Sequence, residues 1–144
     1  IYLFGVPKQV VFPDLAFLFK VREGMVSASF CFALKRDESG MIGPASRLCY
    51  YPFGNVYDNG KICWGNTVFP KMTSIKDAEK LIQAFFDAET NNDLYQNRIA
   101  EHPEFKEQSG LLETLKEMEV FPQKWLKENG NQLSNLCVAI RGGK

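Results

Sequence analysis

The chain has 144 residues, 45% of them apolar and 24% charged, and its 17 Lys+Arg match its 17 Asp+Glu, so the formal net charge is zero. That length and apolar fraction are enough for one domain with its own core and exclude a disordered chain. The missing cationic surplus argues against a nucleic-acid partner, and no apolar run approaches the roughly 20 residues of a membrane span.

The chain starts at Ile1 rather than Met, so its N-terminus is read as truncated. Leu15 to Arg22 is a short apolar run that reads as a strand, and Glu23-Gly24 follows as a turn. Met25 to Leu34 then alternates, with Val26, Ala28, Phe30, Phe32 and Leu34 on one face and Ser27, Ser29, Cys31 and Ala33 on the other. A period of two over that length predicts a strand, and the short link predicts a hairpin. Lys35 to Ser46 reads as a loop and Arg47 to Tyr51 as a third strand. Pro52 to Pro70 has neither period and carries Gly54, Gly60 and Gly65 beside Asn55, Asn59 and Asn66. A long irregular segment in a compact domain is usually functional or mobile.

Helical spacing begins after it. Ser74 with Asp77 three residues on predicts a capping box. Ile75, Ala78, Leu81, Ile82, Phe85 and Phe86 then form one apolar face. Leu111, Leu112, Leu115 and Met118 mark a second amphipathic helix. Pro122 opens a short one with Trp125 and Leu126, which stops near Gly130. Strands first and helices afterwards predict an α+β domain with an antiparallel meander. The whole chain, 1–144, reads as one such domain: sheet over about 1–51, loop 52–70 and a helical part over 74–130.

Chemistry concentrates in the loop. With one histidine and no C-x-x-C pair, a zinc ribbon and a His-rich metal site are excluded, and neither metal nor cofactor is expected. So apolar a core needs no disulfides, and Cys31, Cys49, Cys63 and Cys137 read as reduced thiols of a cytoplasmic protein. Asn55 stands eight positions before Cys63, and the turn residues Asp58-Asn59-Gly60 between them fold the amide back toward the thiol. A thiol beside an amide donor suits acyl transfer through a thioester: the sulfur accepts the acyl group, and the amide organises the region of the oxyanion. A free cysteine is also often a small hydrophobe and nothing more. Cys31 sits in the strongest strand, and Cys31, Cys49 and Cys137 read as packing residues. His102, ahead of Pro103, reads as a surface residue, and nothing local supports a cysteine hydrolase pairing it with Cys63.

The stretch Asn55-Val-Tyr-Asp-Asn-Gly-Lys-Ile-Cys63 resembles the active-site segment of ubiquitin-conjugating (E2) enzymes. In that family His-Pro-Asn precedes the catalytic cysteine with the same eight-residue step. Phe69-Pro-Lys-Met-Thr-Ser-Ile75, the helix ending Leu81-Ile-Gln-Ala-Phe-Phe86 and the loop from Asp87 through Leu94 resemble the family's segment C-terminal to the cysteine. The sequence is most similar to prokaryotic E2-like family D, the family of the B protein of PRTRC systems. It shares the Ala33-Leu34-Lys35 strand end, the Pro52-Phe-Gly-Asn-Val56 entry, the Gly60-Lys-Ile-Cys-Trp-Gly65 core and the Ala84-Phe-Phe86 helix end. The likeness covers about residues 7 to 95. Phe53-Gly54 stand where the family has His-Pro, and no first helix precedes the sheet.

The resemblance implies an E2-like fold and transthiolation. An E1-like, ThiF-type adenylating protein would activate a ubiquitin-like protein, Cys63 would take its acyl group as a thioester, and an amine on a protein substrate would then attack. It implies Asn55 as the amide at the site, and Asn92 or Asp93 as the residue serving the acceptor lysine. A JAB-type peptidase is an expected member of the same system. Trp64 reads first as a core-packing residue, with shielding of the thioester as the alternative. The alternative is a non-catalytic E2-like module that binds a ubiquitin-like protein as a scaffold, which the presence of Cys63 disfavours. Arg141-Gly142-Gly143 resembles the end of a ubiquitin-like modifier, but it is followed by Lys144 and reads as a flexible tail.

Overall fold

The computed structural model describes residues 1–136, which run β1 (Tyr2–Leu3), β2 (Val6–Pro7), β3 (Asp14–Arg22), β4 (Met25–Leu34), β5 (Arg47–Cys49), α1 (Lys76–Asp87), β6 (Glu89–Thr90), α2 (Gln108–Lys116), a single 3₁₀ turn (Gln123–Trp125) and β7 (Glu128–Gln132). Cys137 and the Arg-Gly-Gly stretch lie outside the described residues. The main sheet has the order β3-β4-β5-β7 and is antiparallel throughout. A smaller sheet, β2-β1-β6, joins the N-terminus to the chain just after α1, with β1 and β6 parallel. The architecture is the α+β class that the order of periodicities predicts.

The β3–β4 hairpin turns on Glu23 and Gly24, both at positive φ (52° and 78°), the twist that suits a two-residue connection. Both faces of β4 are covered, unequally. The face with Phe32 and Leu34 packs under a small cluster with Leu48, Leu133 and Leu136. The small residues Cys31 and Ala33 face the main core and leave room there for rings. Phe17, directly opposite Cys31, meets Phe85 edge-on at 5.4 Å, and Phe85 meets Tyr51 at 5.3 Å. α1 thus docks through Leu81 and Phe85, with Ile82 half-buried beside them. α2 buries Leu111, Leu112 and Leu115 in the same core. Each such side chain contributes about 1.5–3 kcal/mol relative to exposure.

Four local expectations need correction. The Ser74 hydroxyl does not cap α1; only the acid half of the box forms, Asp77 Oδ2 accepting from the N–H groups of Thr73 and Ser74. Ile75 is the N-cap residue and is exposed, so it leaves the apolar stripe. The third strand ends at Cys49, because Tyr50 N–H turns to Lys127 O. The segment around Gly130 is strand β7, not a helix stop, because β5 offers an edge for it to pair with.

Candidate active site

The stretch 52–70 contains a hairpin that the sequence periods do not show. Cys63 N–H donates to Asn55 O at 2.8 Å, Val56 pairs with Ile62, Tyr57 N–H donates to Lys61 O at 2.9 Å, and Gly60 N–H closes the turn on Tyr57 O at 2.9 Å. The Asp58-Asn59-Gly60 turn therefore brings Asn55 against Cys63. The hairpin also docks on β4: Cys31 N–H donates to Gly60 O at 2.8 Å and Ile62 N–H to Ser29 O at 2.9 Å. Gly60 has φ 87°, and a Cβ there would run into the Phe32 ring, so this close approach needs glycine.

Of the three described cysteines, Cys63 alone is partly exposed; Cys31 and Cys49 are fully buried. Burial pushes the Cys31 thiol well above its ordinary pKa and the Cys49 thiol up to about 11, so both stay protonated and inert at neutral pH. Tyr57 is exposed beside Cys63, and interaction with that thiol, hydrogen bonding first and charge second, raises its phenol pKa. Trp64 is half-buried, its indole N–H donating to Ser29 Oγ at 2.6 Å and its ring meeting Phe69 and Phe85 edge-on, so it packs the residue after the thiol onto the sheet and α1.

Asn55 adopts a left-handed conformation (φ 68°), which asparagine tolerates better than most residues. Its Nδ2 donates to Glu89 O at 2.8 Å, tying the hairpin to β6. The residues proposed for the acceptor side continue from that strand. Asn92 Oδ1 is engaged, accepting from Gln108 N–H at 3.2 Å at the start of α2. Asp93 is exposed, its N–H donating to Asn91 Oδ1 at 2.8 Å. His102 is half-buried and occupied elsewhere, its Nδ1 2.7 Å from Glu104 Oε1 and its ring on Trp125.

Two polar residues that sequence reasoning passed over hold the site. Arg98, 5% exposed, donates to Tyr51 O at 3.1 Å, Val56 O at 3.0 Å and Asp58 Oδ1 at 2.9 Å, clamping the entry to the hairpin and its tip. Gln108, with no exposed surface, accepts at Oε1 from Gly54 N–H at 2.7 Å. Arg98 gives no periodic signal. Gln108 does: it shares the helical stripe of Leu111, Leu112 and Leu115, where a polar side chain must have partners.

Among the described residues no group of three His, Cys, Asp or Glu side chains is placed to hold a metal, and no helix is long and apolar enough to cross a membrane. The geometry is that of a partly exposed thiol on one arm of a short hairpin, opposite the backbone of Asn55, whose side-chain amide bonds Glu89 O. No curated protein and no solved structure matches the chain. The family model for prokaryotic E2 family D matches residues 4–129, a span that runs from just after β1 to the first two residues of β7. This chain therefore belongs to prokaryotic E2 family D, the E2-like proteins of ubiquitin-like conjugation systems.

Proposed function

We propose that the chain is a catalytically active E2-like conjugating enzyme. An E1-like, ThiF-type protein presents a ubiquitin-like protein as a C-terminal thioester. The Cys63 thiolate attacks that carbonyl carbon, a new C–S bond forms, and the E1 sulfur leaves with the electron pair. A lysine amine of a protein substrate then attacks the Cys63 thioester. The tetrahedral oxyanion collapses, the Cys63 thiolate leaves, and the nitrogen gives up a proton to become an amide. A thioester is already activated, so the second step needs mainly positioning and a neutral amine. The observation that carries the reading is Cys63 itself: a partly exposed thiol in the Asn55–Cys63 hairpin of a family D protein. The free thiols of Cys31, Cys49 and Cys63 suit a reducing cytoplasm, and a JAB-type peptidase is the natural reverse partner. Incubation with candidate E1-like and ubiquitin-like proteins and ATP tests it: an adduct that reductant cleaves is expected. An E1-like protein that demonstrably adenylates the modifier yet leaves no adduct here would point to the scaffold alternative.

Asn55 serves this chemistry by holding the hairpin against β6, with its second amide hydrogen left for the oxyanion. Asn55→Gly keeps the left-handed backbone accessible and removes only the amide. We expect it to slow discharge to lysine by about tenfold or more while charging changes less. An equal loss in both steps would show a purely structural role.

Asp93 offers an exposed carboxylate that orients the acceptor ammonium and takes its proton. Lysine has a pKa of about 10.4, so at neutral pH nearly all of it needs that help. Asp93→Ala should slow discharge to free lysine by roughly tenfold at pH 7 and leave thioester formation intact. The deficit should shrink as pH rises toward 10, where lysine deprotonates unaided. Discharge at the wild-type rate at pH 7 would remove Asp93 from the site.

A further inference from the structure

Gln108 lies on the apolar stripe of α2, and a leucine there would bury as well without a polar group to satisfy. All its side-chain hydrogen bonds go instead to the segment that enters the Cys63 hairpin and to the end of β6 with the residue after it. Oε1 accepts from Gly54 N–H at 2.7 Å, one residue before Asn55. Nε2 donates to Thr90 Oγ1 at 3.1 Å and to Asn91 O at 3.0 Å, just before Asn92 and Asp93. The two segments touch: a Cβ on Gly54 would stand 2.5 Å from Thr90 Oγ1 and 2.9 Å from Asn91 O. One buried amide therefore spans the seam between the hairpin and the polar loop, with acceptor and donor ends both used. A fully satisfied buried network favours one arrangement over near alternatives, because any slip leaves a group unpaired.

We propose that Gln108 is a positioning residue that sets the Asn91–Asp93 loop against the Asn55–Cys63 hairpin, so that an incoming amine meets the Cys63 thioester in one geometry. The inference rests on Cys63 carrying a thioester. Gln108 touches neither substrate nor sulfur in this role; it acts through the Gly54 N–H and through Thr90 and Asn91.

The test uses a small acyl donor, the mercaptoethanesulfonate thioester of acetyl-glycyl-glycine, with intact-mass detection of acyl transfer to Cys63, followed by free lysine. Gln108→Met should charge within about twofold of wild type and discharge about tenfold more slowly, since small misplacements of reacting groups cost orders of magnitude. Thr90→Val should shift discharge in the same direction by less, and Thr90→Ser, which keeps the hydroxyl, should restore it. Gly54 N–H should exchange slowly in wild type and faster in Gln108→Met. If Gln108→Met fails to fold, the Thr90 pair and Gly54 exchange decide. Wild-type discharge by folded Gln108→Met and Thr90→Val, equal losses in both steps, or a Gly54 N–H already fast in wild type would each overturn the inference. A wild type that acquires no acyl group on Cys63, with Gly54 protected as expected, would overturn the thioester reading instead and with it the catalytic role of Gln108.

Discussion

Cys63→Ala should abolish the thiol-labile adduct expected of the proposed enzyme, and Cys63→Ser should leave either none or an oxygen ester that resists mild reductant. The other described thiols should not substitute. The Cys49 thiol, pushed up to about 11, is ionised in roughly one molecule in 10⁴ at pH 7, and burial likewise holds the Cys31 thiol well above its ordinary value. The thiolate is the nucleophile, so burial disarms both, whereas Cys63 is partly exposed. Cys31→Ala and Cys49→Ala should therefore charge as wild type does once folded. Peptide mapping of the charged protein checks the site. Normal charging of Cys63→Ala, with the label on any other cysteine, would end the reading of Cys63 as the acceptor.

The second large effect is on stability. Arg98→Ala should destabilise the protein by about 3 kcal/mol, since it orphans buried carbonyl groups that a charged donor now satisfies and leaves a cavity behind. The carbonyls of Tyr51 and Val56 carry most of that, because the Asp58 side chain is 64% exposed and its ion pair is screened by water. Arg98→Lys should recover only part of the loss, as one ammonium cannot reach three acceptors in the fork geometry of a guanidinium. Asp58→Asn should cost little. Urea denaturation midpoints rank the four proteins; Arg98→Ala within about 1 kcal/mol of wild type, or Asp58→Asn as damaging as Arg98→Ala, would refute this division.

The long strands and α1 are legible in the sequence because a single interaction, burial of one face, writes a period into each. β7 is not: Glu-Asn-Gly-Asn-Gln has the composition of a turn, and only the free edge of β5 makes it a strand. The capping box misleads for a related reason. Its two halves are independent hydrogen bonds, and here Asp77 reaches back while the Ser74 hydroxyl does not reach forward. At the site, Cys63 and Asn55 are legible because a turn signal of known geometry lies between them. The sequence places Asn92 and Asp93 side by side in one loop and does not tell them apart; what separates them in the structure is that Gln108 N–H occupies Asn92 Oδ1. Arg98 reaches Asp58 across 40 residues of chain and Gln108 reaches Gly54 across 54, and no local pattern records such partners. The departure from His-Pro at Phe53-Gly54 becomes intelligible in the same way. Phe53 is a core ring, edge-on to Phe12 and Tyr51, and a proline at 54 would have no N–H for Gln108 and no room for its ring.

The docking of the hairpin on β4 has a consequence for how this family can vary in length. β3 occupies one edge of β4, while the other is shared: β5 takes Ala33 and Leu34, and the hairpin takes Ser29 to Cys31. Residues 60–62 thus behave as a ratchet cut in steps of two. Ile62 points into the core and Lys61 out of it. One inserted or deleted residue between Gly60 and Cys63 would exchange those directions, drive a lysine inward and turn the thiol to the wrong side of the sheet. Length changes in relatives that keep the chemistry should therefore gather at the Asp58-Asn59 tip, where the chain leaves the sheet. The interval from Gly60 to Cys63 should stay constant, a ruler cut by strand pairing rather than by the reaction.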